Sequence, residues 1–245
     1  MRIDVLTLFP EMFEAVLGTS IIGRAQEKGI FELRYHNLRD FSEDKNRRVD
    51  DYPYGGGLGM VMQCQPIFSA VDQIKPQLAG EPYIIMMSPQ GKPFNQAKAA
   101  ELNGHDNIII ICGHYEGIDE RVTEGLVDEE ISIGDFVLTG GEIAAMAVID
   151  AVCRLRPGVL REDESHVIES FSEGLLEFPQ YTRPEVFNGM AVPEVLMSGH
   201  HKNIEKWRRQ QSLVRTLRKR PELMENVFLE KEDMKLIQKS KKDKK

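Results

Sequence analysis

The sequence predicts an α/β domain built on a buried parallel sheet, followed by a small helical domain, and three observations predict it. Short apolar, β-branched runs recur between helix-patterned segments over the first 155 residues. Two of these runs, Tyr83–Met87 and Ile108–Cys112, are apolar at every position, the habit of strands covered on both faces. Beyond residue 200 the pattern changes to basic, helix-spaced segments with no strand signal.

The elements follow in chain order. Ile3–Phe9 is a β-branched first strand stopped by Pro10. Residues 11–28 carry Met12, Phe13, Val16, Leu17, Ile21, Ile22 and Ala25 at helical spacing, interrupted at Gly18. Phe31–Leu38 is a second strand, and from Phe41 to Met62 no period survives. That stretch contains Pro53-Tyr54-Gly55-Gly56-Gly57-Leu58-Gly59-Met60, which fits either a mobile loop or a backbone passing close to a ligand. Helices are expected over Pro66–Ile74 and Asn95–Leu102. Tyr83–Met87 then stops at Ser88-Pro89-Gln90-Gly91, and Ile108–Cys112 stops at Gly113-His114-Tyr115-Glu116-Gly117. A weaker run from Ile131 to Leu138 stops at Thr139-Gly140-Gly141-Glu142, where a helix apolar nearly all round runs to Arg154. Such a helix must be buried in the core or in a subunit interface. In parallel sheets ligands sit outside the carboxyl ends of the strands, so these three glycine-bearing loops form one candidate pocket.

Pro157-Gly158 closes the first block, and residues 161–174, rich in Glu, Asp, Ser and Gly, read as an interdomain linker. The boundaries expected are 1–160 for the α/β domain and 175–245 for the C-terminal helical domain. Within the latter, Ile204–Arg220 is a helix with Ile204, Trp207, Gln211, Val214 and Leu217 on one side, closed by Pro221. A second helix begins near Glu230.

Charge divides the same way. Residues 200–245 hold 15 Lys and Arg against 7 Asp and Glu, a balance of +8, while the first 199 hold 16 against 32, a balance of −16. An acidic body with a basic arm suits phosphate contact, and a solvated helical tail is the alternative. Cys64, Cys112 and Cys153 are odd in number and lack metal-ligand spacing, so all three are expected as reduced, buried thiols. There is no GxGxxG or GxxxxGK[ST] string, which argues against a dinucleotide fingerprint or a P-loop. Asp4 interrupts the N-terminus where a signal peptide needs an apolar region, and no run approaches membrane-spanning length. A soluble, intracellular protein is expected.

Six strings carry a resemblance: Tyr54-Gly55-Gly56-Gly57; Ser88-Pro89-Gln90-Gly91; Gly113 through Arg121; Ile133-Gly134-Asp135-Phe136-Val137-Leu138; Gly140-Gly141-Glu142; and Tyr181-Thr182-Arg183-Pro184. In this order and spacing the chain, from Met1 to about Glu225, resembles the bacterial tRNA (guanine-N1)-methyltransferases, the TrmD family of the SPOUT class. The resemblance implies a SPOUT-type parallel sheet with a deep trefoil knot, a cytoplasmic obligate homodimer, and a C-terminal helical domain that helps grip tRNA. It implies methyl transfer from S-adenosylmethionine to N1 of guanine 37, beside the anticodon, in an activity associated with magnesium. No metal-binding residue is expected.

By resemblance the cofactor is held by Met87, Ser88, Pro89, Gln90, Gly91, Gly113, Tyr115, Glu116, Ile133, Gly134, Phe136, Leu138, Gly140 and Gly141, with Glu116 meeting the methionine amino group. An exposed loop acid paired with a nearby arginine is the other reading of Glu116. The family's cation is Arg154 here. Its base, an aspartate before a Ser-Phe pair, is replaced by Glu169; Asp163 or Glu164 are the other linker acids that could serve. Ala144 and Leu58 replace usual prolines. On the basic helix, Arg208, Arg209 and Arg215 are the expected RNA contacts. Another SPOUT activity, on ribose or ribosomal RNA, is disfavoured by the Tyr181–Pro184 string; a silent RNA-binding protein would find support only in Glu169.

Overall fold

The computed structural model of the chain describes residues 1–161, 169–172 and 174–242. The chain divides into two compact units, Met1–Asp163 and Glu164–Lys245.

The first unit begins with β1 (Arg2–Thr7), α1 (Pro10–Leu17), α2 (Ser20–Glu27), β2 (Glu32–Asn37), β3 (Asp50–Asp51), β4 (Val61–Met62) and α3 (Cys64–Ile74). It continues through β5 (Tyr83–Pro93), α4 (Gln96–Asn103), β6 (Asn107–Cys112), α5 (Glu120–Leu126), β7 (Glu129–Ser132) and α6 (Glu142–Cys153). Five strands form a parallel sheet in the order β2-β1-β6-β5-β7. Alternation along the strands splits the core in two. Ile108, Ile110 and Cys112 face Phe13, Leu17 and the buried side of α6, whereas Ile109 and Ile111 face Ile67, Val71 and Ile74 of α3. A sheet covered on both faces explains why β6 is apolar throughout.

Several expected elements change at their ends. The Gly18 interruption is a true break: a Cβ there would strike the Glu14 carbonyl, and α1 and α2 are separate helices. The aperiodic stretch contains the small ribbon β3–β4, held by antiparallel pairing of Asp50 with Met62. The third organising strand is only Glu129–Ser132, and residues 133–141 belong to the loop. β5 does not end at Ser88. Met87 and Lys92 both pair with Ile131, so Ser88–Gly91 is an excursion that leaves the ladder and rejoins it at the same partner. Cys64 is half-buried rather than buried, while Cys112 and Cys153 are buried. α6 is buried along Ala144, Ala145, Val148, Ile149, Val152 and Cys153, but Ile143, Ala147 and Asp150 form an exposed stripe on it.

The second unit contains a hairpin, β8 (Val186–Phe187) and β9 (Met190–Ala191), then α7 (Glu194–Met197), α8 (His201–Lys219) and α9 (Lys231–Lys242). Its core gathers Leu175, Leu213, Leu236 and Ile237. The fully buried residues of α8 are Ser212, Leu213 and Thr216, while Ile204, Trp207, Gln211, Val214 and Leu217 are half-buried, Leu217 packing against this core. Thr216 accounts for part of the difference, because its hydroxyl donates to the Ser212 carbonyl at 2.7 Å and accepts from the Leu176 N–H at 2.9 Å. The Asn188-Gly189 turn of the hairpin, both residues at positive φ, is a signal legible in the sequence but not drawn from it.

Candidate functional site

At the Ser88–Gly91 excursion of β5 and the carboxyl ends of β6 and β7 lies a cavity of about 380 Å³, within the range of small-molecule sites. Its walls are the three glycine-bearing loops. Thirteen of the fourteen residues expected to hold a cofactor line it: Met87 to Gln90, Gly113, Tyr115, Glu116, Ile133, Gly134, Phe136, Leu138, Gly140 and Gly141. Gly91 is not among the walls. A Cβ at Gly91 would collide with the backbone of Glu130 and Ile131, so this glycine serves the rejoining of β5 to β7.

The loops are tied to one another by backbone. His114 bridges Gly140 in antiparallel fashion, and the Gly141 N–H donates to the Gly113 carbonyl at 2.8 Å. Gly141 permits this approach: a Cβ there would lie 3.0 Å from Cys112 Cα and 3.1 Å from the Gly113 nitrogen. At Gly113 the demand is weaker, since a Cβ would meet only the Ile118 side chain at 3.4 Å.

A fourth loop joins them. Gly55, Gly56, Gly57 and Gly59 all have positive φ, a conformation that L side chains rarely adopt, so this loop is glycine-rich by geometry. The Glu116 N–H donates to the Met60 carbonyl at 3.0 Å, and the Met62 N–H to the Gly117 carbonyl at 2.9 Å. The Glu116 side chain packs onto Gly59, where a Cβ would stand 2.5 Å from its Cγ. Tyr54 and Leu58 in the same loop are fully exposed.

The charge of the cavity is one-sided. Glu116, Glu120 and Glu130 line it, and among the described residues its walls include no lysine or arginine. Among the described wall residues, His114 alone has a side chain able to carry positive charge. Glu120 and Glu130 were not singled out from sequence; Glu130 stands beside Ile131 at the head of the third run, and it was the pairing of β7 with β5 that brought it to the wall. Behind the wall, burial and then the charge of Glu142 push the Cys112 thiol far above its ordinary range, which makes it an inert packing group.

Arg154 caps the C-terminus of α6, half-buried, its N–H donating to the Asp150 carbonyl at 3.0 Å. In the second unit, Glu169 is half-buried at the start of a turn: its carbonyl accepts from the Ser172 N–H, and Ser170 Oγ accepts from the Glu177 N–H at 3.0 Å. Phe171 sits at φ 77°, an outlier for a bulky residue, held by its N–H donating to the Leu175 carbonyl at 2.8 Å. The end of the expected linker is thus a hydrogen-bonded turn. Its earlier part, including Asp163 and Glu164, lies outside the described residues.

The three arginines of α8 differ from one another. Arg208 is exposed, its guanidinium 4.7 Å from the centre of the Phe178 ring. Arg215 is half-buried. Arg209 grips Asp233 of α9 through two hydrogen bonds of 3.1 and 2.9 Å. That guanidinium holds the Asp233 carboxyl below its usual range, against the opposing effect of burial. Arg209 is therefore an internal tie between α8 and α9. Among the described residues, no helix is long and apolar enough to cross a membrane.

A family model described as tRNA (Guanine-1)-methyltransferase TrmD matches residues 1–226. A tRNA (guanine-N(1)-)-methyltransferase of Dehalococcoides mccartyi is 57% identical over 237 residues, covering 97% of this chain and 96% of that protein. The enzyme of the same name from Bacillus cereus is 54% identical over 243 residues, 99% of this chain and 100% of that protein. One from Ruminiclostridium cellulolyticum is 58% identical over 227 residues, 93% of this chain and 97% of that protein.

Proposed function

The chain belongs to the tRNA (guanine-1)-methyltransferase family, and from that membership we infer that it is the enzyme that methylates N1 of guanine in tRNA. We propose further that the target is guanine 37, beside the anticodon, and that the methyl donor is S-adenosylmethionine.

The observation that carries the donor assignment is the cavity itself. It is walled by glycine loops that let backbone approach a flat ligand, and its charged side chains are carboxylates. A ligand with a sulfonium and an ammonium suits such a site, and an anionic nucleotide does not. When bound, S-adenosylmethionine supplies an electrophilic methyl group on sulfur. Met87, Ser88, Pro89 and Gln90 would form one wall, Gly113 and Tyr115 a second, and Ile133, Gly134, Phe136, Leu138, Gly140 and Gly141 the third. Glu116, fixed over Gly59, would face the amino group of the methionine moiety.

The guanine must lose its N1 proton as N1 becomes the nucleophile. A carboxylate accepts that proton, and we assign this to Glu169, which stands in the family's aspartate position before Ser170-Phe171. The strained Phe171 turn gives its backbone a defined direction. Negative charge grows on guanine O6 as N1–H is lost, and the Arg154 guanidinium is the cation we assign to it. Arg208 and Arg215 contact tRNA phosphates in this reading, while Arg209 holds their helix in place. We propose also that the first unit carries the family's trefoil knot, supported by the return of residues 139–141 to the Gly113 loop before α6 begins. The enzyme works as a cytoplasmic homodimer, a reading supported by the exposed Ile143–Ala147–Asp150 stripe on an otherwise apolar helix. Magnesium is assigned no site on the chain.

The test is methyl transfer from labelled S-adenosylmethionine to two tRNA transcripts, one carrying G37 and one with adenine there. Transfer to the first alone is expected, with the product identified as 1-methylguanine. Equal labelling of both transcripts, or label on ribose, overturns the assignment.

A further inference from the structure

Behind the cavity wall stands a carboxylate that the functional reading does not use. Glu142, in the first turn of α6, is 2% exposed. One of its oxygens accepts a hydrogen bond of 2.9 Å from the hydroxyl of Thr7, at the end of β1. That hydroxyl has little choice of partner, because Thr7 Oγ1 already accepts from the Phe9 N–H at 3.0 Å and is left to donate. Thr7 is itself fully buried. The second Glu142 oxygen lies 3.9 Å from Nδ1 of His114, a buried nitrogen with no hydrogen-bond partner. His114 is a wall residue of the cavity, its ring set edge-on to Tyr115 at 5.1 Å and tilted against Phe9 at 5.1 Å. A Cβ at Gly140 would fall on both the Glu142 carboxylate and the His114 imidazole, so the Gly140-Gly141-Glu142 string is a single fitted unit.

A buried carboxylate is costly unless its oxygens are satisfied, and a sheet of this kind could have packed an apolar residue here. The geometry instead links three strand ends: β1 through Thr7, the loop after β6 through His114, and the loop before α6 through Gly140. We propose that Glu142 is a positioning residue for the methyl-donor pocket, holding His114 and the Gly140–Gly141 turn in the shape that receives the donor, with Thr7 as its anchor. The proposal rests on the reading of this cavity as the S-adenosylmethionine site. Glu142 touches no reacting atom in it. Its effect is on donor binding, through walls that carry Tyr115 on one side and Gly141 on the other.

The experiment compares Glu142→Gln, Thr7→Val and Thr7→Ser in the full-length enzyme by calorimetric titration with S-adenosylmethionine and by steady-state kinetics. Glutamine keeps the shape of the side chain but loses the charge and one acceptor. It should weaken donor binding by about 10-fold, the effect expected when a charge-assisted bond becomes a neutral one. Thr7→Val should weaken binding in the same direction, and Thr7→Ser, which keeps the hydroxyl, should restore it to within about twofold of wild type. In all three, KM for the donor should follow the binding constant, with kcat at saturating donor changed much less. Unchanged binding in both Glu142→Gln and Thr7→Val, or equal losses in Thr7→Val and Thr7→Ser, overturns the proposal. So does a fall in kcat with KM unmoved. Failure of the wild-type enzyme to bind S-adenosylmethionine would overturn the functional reading itself, and is seen in the same titration.

Discussion

Glutamate at position 169 offers the same carboxylate as the family's aspartate on one more methylene, so its reach is longer while its chemistry is the same. The turn that follows it is defined by Phe171 at φ 77° and by hydrogen bonds to residues 175 and 177, so the extra length is not absorbed by a slack backbone. If Glu169 is the base, Glu169→Gln should lower methyl transfer by about 100-fold or more, since general-base contributions are of that order. Arg154→Ala should cost about 100-fold through lost charge stabilisation, with S-adenosylmethionine binding retained in both. Glu169→Asp shortens the side chain in a fixed turn. Misplacement on the order of 1 Å costs up to about 100-fold, so this variant should fall between wild type and Glu169→Gln. Turnover of Glu169→Gln within a few fold of wild type removes the residue from the mechanism. The sequence revealed Glu169 and Arg154 only through resemblance, because neither carries a local pattern of its own.

α8 shows how one helix divides its charges between structure and contact. Periodicity marked a basic face, yet it could not tell which arginines are occupied. Arg209 is occupied, because Asp233 lies on α9, 24 residues later in the chain, and only packing brings the two together. Asp233 is lowered in the fold, so the stability this tie lends is present at neutral pH and fades as pH falls through the lowered value. Reversing Arg208 and Arg215 together to Glu should weaken tRNA binding and reduce the slope of log K against log salt by about two units, one per lost phosphate contact. Arg209→Glu should instead lower the thermal midpoint, with a loss of about 1.5 kcal/mol from the broken tie. An unchanged salt slope in the double variant would make this face a solvated surface.

For the whole molecule, the exposed apolar side chains of the first unit matter most. Val16 is 54% exposed, Ile21 41% and Ile143 50%, on α1, α2 and α6 respectively. An open stripe on an apolar helix suits the proposed subunit interface. On the proposed homodimer, a charge there should separate the copies: wild type is expected to sediment as a dimer at micromolar concentration and Ile143→Glu as a monomer. Methyl transfer should fall with it, since the enzyme is proposed to work as a homodimer. A variant that stays dimeric and active locates the interface elsewhere.

By itself the sequence determined the α/β class, the parallel habit of β5 and β6, the three glycine loops that share one cavity, and the contrast between acidic body and basic end. Each of these depends on local properties: side-chain periodicity, β-branching, turn chemistry and charge count. Only the tertiary structure decided that Ser88–Gly91 is an excursion returning to Ile131, that Gly91 serves strand pairing, and that Arg209 is tied to Asp233. It alone brought Thr7 to Glu142, residues 135 apart in sequence. Pairings of this kind depend on which buried polar groups find partners once the sheet has formed, and no window of sequence contains both partners.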